Sequence, residues 1–140
     1  DGTKKMSKSD LSDLSRINLT DNNDMIVNKI KKAKTDPKLM PTGEENLKER
    51  PEAENLLGIY SSLSNQNLEQ SKKEFSGKNF SEFKEKLSDL LVEKINPISK
   101  EIKRLLNDAK YLDNILLEGS QKADRMASIK IKEIKKIIGI

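Results

Sequence analysis

The sequence predicts an all-α protein, an antiparallel helical bundle preceded by a flexible loop. Three observations carry that prediction. Apolar residues recur at three- and four-residue steps along most of the chain, and no run alternates with a period of two. Hydrophobic residues make up 34% of the 140 residues and aromatic ones only 4%, so the core must be aliphatic, filled by Leu, Ile, Met and Ala. Charged residues reach 36%, a proportion that suits helices with one wet face. The length is that of one ordinary domain, and no internal repeat is visible.

The elements follow in order. Residues 1 to 23 are rich in Ser, Asp, Asn and Thr and read as loop and turn with one short helical piece. Asn23 or Asp24 caps a first helix whose apolar positions are Met25, Ile26, Ile30 and Ala33, with lysines in its last turns at the negative end of the helix dipole. The stretch from Thr35 to Arg50 is the longest irregular segment. Pro51 suits the first turn of a second helix, with Glu52 and Glu54 at its positive end and Ala53, Leu56, Leu57, Tyr60 and Leu63 on its apolar face. "SNQN" stops it. A short helix follows in "LEQSKKEFS" and ends at Gly77. From Phe80 through Phe83, Leu87, Leu90, Leu91, Ile95, Ile98, Ile102 and Leu105 the phase survives across Pro97, which predicts one helix of roughly 27 residues with a proline kink. Asn107 and Asp108 break the pattern. "AKYLDNILLEG" then reads as a short helix ending near Gly119, and a last helix carries Ala123, Met126, Ala127, Ile131, Ile134 and Ile138 before Gly139.

Composition excludes several kinds of chemistry. There is no cysteine, hence no disulfide framework and no thiolate metal site. There is no histidine, which removes the usual general base and the commonest transition-metal ligand. No apolar run approaches the roughly 20 residues of a membrane-spanning helix, and no signal peptide is visible, so a reducing, cytoplasmic setting is expected. The net charge of +4 permits an anionic partner without requiring one.

The stretch that carries chemistry is "KKMSKS", residues 4 to 9. It reads as a flexible segment with three ammonium groups and two hydroxyls. Lysine is a compact charge on a long stem, suited to following phosphate oxygens as they move. Near a nucleotide, Lys5 and Lys8 would neutralise charge developing on a leaving pyrophosphate, a term on the order of 3 kcal/mol per well-placed donor. Elsewhere the readings are plainer. Glu44, Glu45, Glu49, Glu52 and Glu54 read as a solvated helix start, and Lys29, Lys31, Lys32 and Lys34 as a solvated charge run. The final helix is basic on one side, with Lys122, Arg125, Lys130, Lys132, Lys135 and Lys136, a pattern that fits RNA or a membrane surface. Planar groups available to stack on unpaired bases are Tyr60, Tyr111, Arg16, Arg50, Arg104 and Arg125, with Tyr60 better placed as core.

The order Lys5-Met6-Ser7-Lys8-Ser9 resembles the KMSKS signature of class I aminoacyl-tRNA synthetases. "SRINLTDN" (15–22), "KIKKAKTD" (29–36), "NLLGIYSSLSNQNLE" (55–69), "FSGKNFSEFKEKL" (75–87) and "EGSQKADRMAS" (118–128) resemble, in that order and over nearly the whole chain, the C-terminal part of bacterial tryptophanyl-tRNA synthetases. The resemblance implies a division into a signature loop and connector (1–23) and a helical anticodon-binding domain (24–140), with the Rossmann-type catalytic domain absent from this chain. It implies activation of tryptophan by ATP, then transfer to tRNA(Trp). Lys5 and Lys8 map onto the catalytic signature lysines, and Met6, Ser7 and Ser9 onto contacts around the nucleotide. Arg50, Arg104, Lys122 and Arg125 are the expected tRNA contacts. Mg2+ is expected to accompany ATP, with no metal site and no bound cofactor in this piece, which should be inactive alone. The full enzyme is expected to be a homodimer and this piece a monomer, with no membrane contact. Other classes consistent with the residues are an independent RNA-binding module and a helical membrane-surface scaffold.

Overall fold

A computed structural model describes residues 2–3 and 6–140. Lys5 therefore lies outside the described residues. Five α-helices account for most of the chain: α1 (Asn23–Lys32), α2 (Pro51–Ser64), α3 (Leu68–Phe75), α4 (Phe80–Leu106) and α5 (Ala109–Ile138), with 3-10 turns at Asp13–Ser15 and Leu47–Glu49. The described residues contain no strand, as the missing period-two pattern predicts.

Capping chemistry sets the boundaries. Asn22, one residue ahead of the expected cap, accepts from the amide of Met25 at 2.8 Å to start α1. Pro51 occupies the first turn of α2, and Asn65 ends that helix in the left-handed region at φ 57°. Asn67 and Gln70 form a reciprocal capping box at the start of α3. Gly77 turns the chain at φ 71°, and its amide donates to the Met40 carbonyl at 3.1 Å while the Met40 amide donates to Lys78 at 2.8 Å. That exchange ties the irregular stretch before α2 to the α3–α4 turn.

The chain divides into two compact units, one ending at Lys100 and the other running Glu101–Ile140. The core of the first is Ile26 and Ile30 of α1, Met40 and Leu47 of the loop, Ala53, Leu56 and Leu57 of α2, Phe75 of α3, and Phe80, Phe83, Leu87, Leu91 and Ile95 of α4. Fully buried side chains such as Leu57 and Leu87 each contribute about 1.5–3 kcal/mol. All three phenylalanines are in this core, and Phe75 meets Phe83 and Tyr60 edge-on at 4.8 Å between centroids. Tyr60 thus packs as core. Its hydroxyl donates to Glu74 at 3.0 Å, and burial together with that carboxylate pushes its pKa up to about 12.

Two predicted features of the long helices meet different outcomes. α4 is one helix of 27 residues with Pro97 inside it. Pro97 and Glu93, whose carbonyl loses its helical partner, both lie on the exposed side, where water can take that bond. The break expected near Gly119 does not occur: α5 is one helix of 30 residues. Gly119 has no positive φ, and a Cβ there would meet nothing within 4 Å. A single mid-helix glycine costs only about 1 kcal/mol and no proline follows it; Ser120, a residue type that can cap a new helix, lies inside this one. Asp108 caps α5 by accepting from the Tyr111 amide at 3.1 Å, and Gly139 closes it at φ 80°. No residue of α5 is buried.

Candidate functional site

Residues 6–10, the described part of the signature segment, fold as a tight polar turn. Met6, Ser7, Lys8, Ser9 and Asp10 are all exposed. The Ser7 and Ser9 hydroxyls lie 2.9 Å apart, the Ser9 amide donates to Ser7 Oγ at 3.3 Å, and the Asp10 amide donates to the Ser7 carbonyl at 3.3 Å. Serine and aspartate favour such local side-chain bonds, which is why the sequence turns here instead of starting a helix. The turn leaves Lys8 exposed between two serines whose hydroxyls meet, residue types that suit phosphate oxygens.

Behind the turn stands a charged network that sequence reasoning missed. Lys29, read as part of a solvated run, is instead buried: its side chain is 5% exposed and its ammonium lies 2.6 Å from both Asp13 and Asp21. Asp21 is buried as well, and the Asn18 amide donates to it at 2.9 Å. The Asn18 side chain donates to Asp13 at 3.0 Å. Burial works against the Lys29 charge, but the two carboxylates outweigh it and hold its pKa above the ordinary lysine value. Hydrogen bonding from Lys29, then from Asn18, holds Asp13 below the ordinary carboxylate range. Lys31, Lys32 and Lys34 of the same run are exposed, as expected.

The expected RNA contacts fall into two environments. Arg50 is buried and its guanidinium is engaged: Nε and Nη2 grip Asp36 at 3.0 and 2.8 Å, Nη1 reaches Glu45 at 3.0 Å, and Nη2 also donates to the Leu39 carbonyl at 2.7 Å. Phe80 lies under it at 5.9 Å. Asp36, with Glu45 behind it, raises the Arg50 pKa against the opposing effect of burial. Glu45, expected in a solvated cluster, is drawn into this site, and Glu52 pairs with Lys34 at 3.1 Å. Buried Lys72 donates to the carbonyls of Gly43 and Glu45 at 3.0 and 2.7 Å, so two cations staple the same loop.

Arg104, Lys122 and Arg125 belong to the unit that begins at Glu101, and all three are exposed. Arg104 forms a two-pronged pair with Glu101 at 2.9 and 2.8 Å, and Arg125 Nε donates to the Gln121 carbonyl at 3.3 Å. Tyr111 is 45% exposed at the start of α5. Among the described residues no group of three acidic side chains is arranged to hold a metal ion, and no helix is long and apolar enough to cross a membrane.

Residues 1–96, which include the signature turn, the Lys29 network and α1 to α3, match the family of tRNA synthetases class I (W and Y). The chain belongs to that family. It is 51% identical to the tryptophan–tRNA ligase of Rhizobium meliloti over 139 residues, which is 99% of this chain and 39% of the relative. It is 51% identical to that of Mesorhizobium japonicum over 140 residues, 100% of this chain and 39% of the relative. The tryptophan–tRNA ligase of Agrobacterium fabrum shows 52% identity over 139 residues, again 39% of its length. This synthetase-family chain thus spans 39% of the length of these relatives. The family match stops short of α5, while the likeness to the individual ligases continues through it.

Proposed function

We propose that this chain is the part of a tryptophan–tRNA ligase that carries the signature loop and the tRNA-binding helical region. The single observation behind this reading is the Lys5-Met6-Ser7-Lys8-Ser9 motif in a chain that resembles tryptophan–tRNA ligases along its whole length. In the complete enzyme the tryptophan carboxylate attacks the α-phosphorus of ATP. Pyrophosphate leaves, and the tryptophanyl group then passes to the 3′ end of tRNA(Trp). Lys5 and Lys8 neutralise the charge that gathers on the departing pyrophosphate, as preorganised cations do in phosphoryl chemistry. Met6, Ser7 and Ser9 contact the nucleotide around them. Mg2+ enters with ATP and is held mainly by its phosphates.

The helical region takes the tRNA. Exposed Arg104, Lys122 and Arg125 are the proposed phosphate contacts, supported by their exposure on the unit from Glu101 onward. Arg50 enters the proposal as the residue that fixes the 36–45 loop, because its donors are already committed. The reading places residues 1–23 with the catalytic machinery and 24–140 with tRNA recognition, in a cytoplasmic enzyme that is dimeric when complete and inactive as this piece alone.

Tryptophan-dependent exchange of pyrophosphate into ATP tests it. The full-length parent protein should catalyse the exchange and this chain alone should not. Exchange driven by another amino acid, or catalysis by this chain alone, refutes it. The isolated chain should bind tRNA(Trp) with a log–log salt slope of about −2 to −3, the value for roughly three phosphate contacts.

A further inference from the structure

The turn that presents Lys8 is held by polar contacts, not by packing. Its residues 6–10 are exposed, and beside it lies a cavity of about 270 Å³ lined by Met6, Leu14, Ile17, Ile30, Leu56 and Ile59 among others. From outside the turn Arg16 reaches in. Its Nη1 donates to the carbonyls of Ser7 and Asp10, both at 3.3 Å, and its Nη2 pairs with Asp13 at 3.0 Å. Those two carbonyls bracket Lys8 and Ser9. Asp13 in turn is fixed by Lys29 of α1 at 2.6 Å, and Lys29 by buried Asp21. A continuous chain of charge-assisted bonds therefore runs from a helix of the core to the backbone on either side of Lys8. A guanidinium suits the middle of that chain, because its rigid fork serves two carbonyls and a carboxylate at once.

We propose that Arg16 is a positioning residue for nucleotide activation: it orders the Ser7–Asp10 backbone so that Lys8 is presented in one place before ATP arrives. The proposal rests on the reading of residues 5–9 as the synthetase signature. Its physical content is preorganisation. Ordering a turn during the reaction costs backbone entropy that a turn ordered beforehand does not. Arg16 acts through the turn, since its donors go to the Ser7 and Asp10 carbonyls and to Asp13.

Two measurements on Arg16→Gln and Arg16→Lys test it. In this chain, backbone 15N order parameters at Ser7–Asp10 should fall from an ordered value to below about 0.6 in both variants, while those of Ile26 and Leu57 stay near 0.85. In the full-length parent protein, kcat/KM for ATP in pyrophosphate exchange should fall about tenfold, the worth of roughly one charge-assisted bond, since both carbonyl contacts are long and exposed, with KM for tryptophan unchanged. Unchanged order parameters refute the link between Arg16 and the turn, whatever the enzyme does. A disordered turn with unchanged kcat/KM for ATP refutes the positioning role. An equal loss toward tryptophan refutes it too, since that is general damage. Full function in Arg16→Lys refutes the requirement for a fork. A wild-type parent protein without tryptophan-dependent exchange overturns the reading on which the proposal stands, and the order parameters keep that failure separate from failure of the Arg16 link.

Discussion

Replacing Lys29 by methionine keeps the volume of the side chain and removes its charge. The consequence follows from the unequal exposure of its partners. Asp13 is 44% exposed, so water screens most of what it loses. Asp21 is 2% exposed and would be left as a buried carboxylate holding only the amide and side chain of Asn18, at 2.9 and 3.3 Å. Breaking a buried pair from one side costs about 3–5 kcal/mol, because the stranded charge has lost its hydration without compensation. That is a large part of the 5–15 kcal/mol that holds an ordinary domain together. Asp21→Asn keeps an acceptor for the Asn18 amide and leaves Lys29 its bond to Asp13, so about 1–3 kcal/mol is expected. In the double variant no charge is stranded at Asp21, and the chain should be more stable than Lys29→Met alone by about 1–2 kcal/mol. Urea titration followed through the amide resonances of Ile26, Ile30 and Leu57 reads this unit by itself. A loss below about 1 kcal/mol for Lys29→Met, or losses that simply add in the double variant, would refute the reasoning.

Three further outcomes are expected. Gly119→Ala should raise helicity by circular dichroism and stabilise α5 by about 0.5–1 kcal/mol, since the position is helical and open, whereas Gly77→Ala should destabilise the α3–α4 turn by about 1–2 kcal/mol because its φ is 71°. Asp13 and Asp36 both titrate below their ordinary 3.8, so their stabilisation is present above that value and is lost as pH falls through the lower folded-state values; the urea midpoint should hold steady near neutrality and drop below about pH 4. Arg50→Lys should destabilise the first unit by about 1–3 kcal/mol, because an ammonium cannot hold Asp36, Glu45 and the Leu39 carbonyl together, and should leave the salt slope of tRNA binding unchanged.

The helices were legible because their signals are local. Pro51, Asn67, Gly77 and Asp108 each act on the two or three residues beside them, and the apolar period from Phe80 to Leu105 carries its phase through Pro97. Gly119 misled because a glycine weighs little against a continuing stripe, and Leu112, Leu116, Ala123 and Met126 keep the helical phase on both sides of it. The ion pairs were hidden for a different reason. Lys29 meets Asp13 across sixteen residues and Arg50 meets Asp36 across fourteen, through irregular chain with no period to reveal the pairing. A lysine among lysines looks solvated until its particular partner is known. The signature, by contrast, is visible in sequence as five contiguous residues, but nothing in those five says what holds them in place.

The described residues on both sides of the signature are tied down. On the near side Gly2 lies against the first turn of α2, so close that a Cβ there would come within 2.4 Å of the Pro51 carbonyl oxygen. On the far side the chain is tied through Arg16, Asp13 and Lys29 to α1. The two helices share one core through Ile26, Ile30, Ala53, Leu56 and Leu57. Gly2 and the Arg16 network are therefore fixed to elements whose separation is set by close-packed side chains, which resist displacement and transmit strain. With an open cavity in place of a packed underside, the order of the turn depends on those polar anchors. It follows that Ile30→Ala or Leu56→Ala, each of which enlarges the cavity between those supports, should lower the backbone order parameters of Ser7–Asp10 even with Arg16 in place.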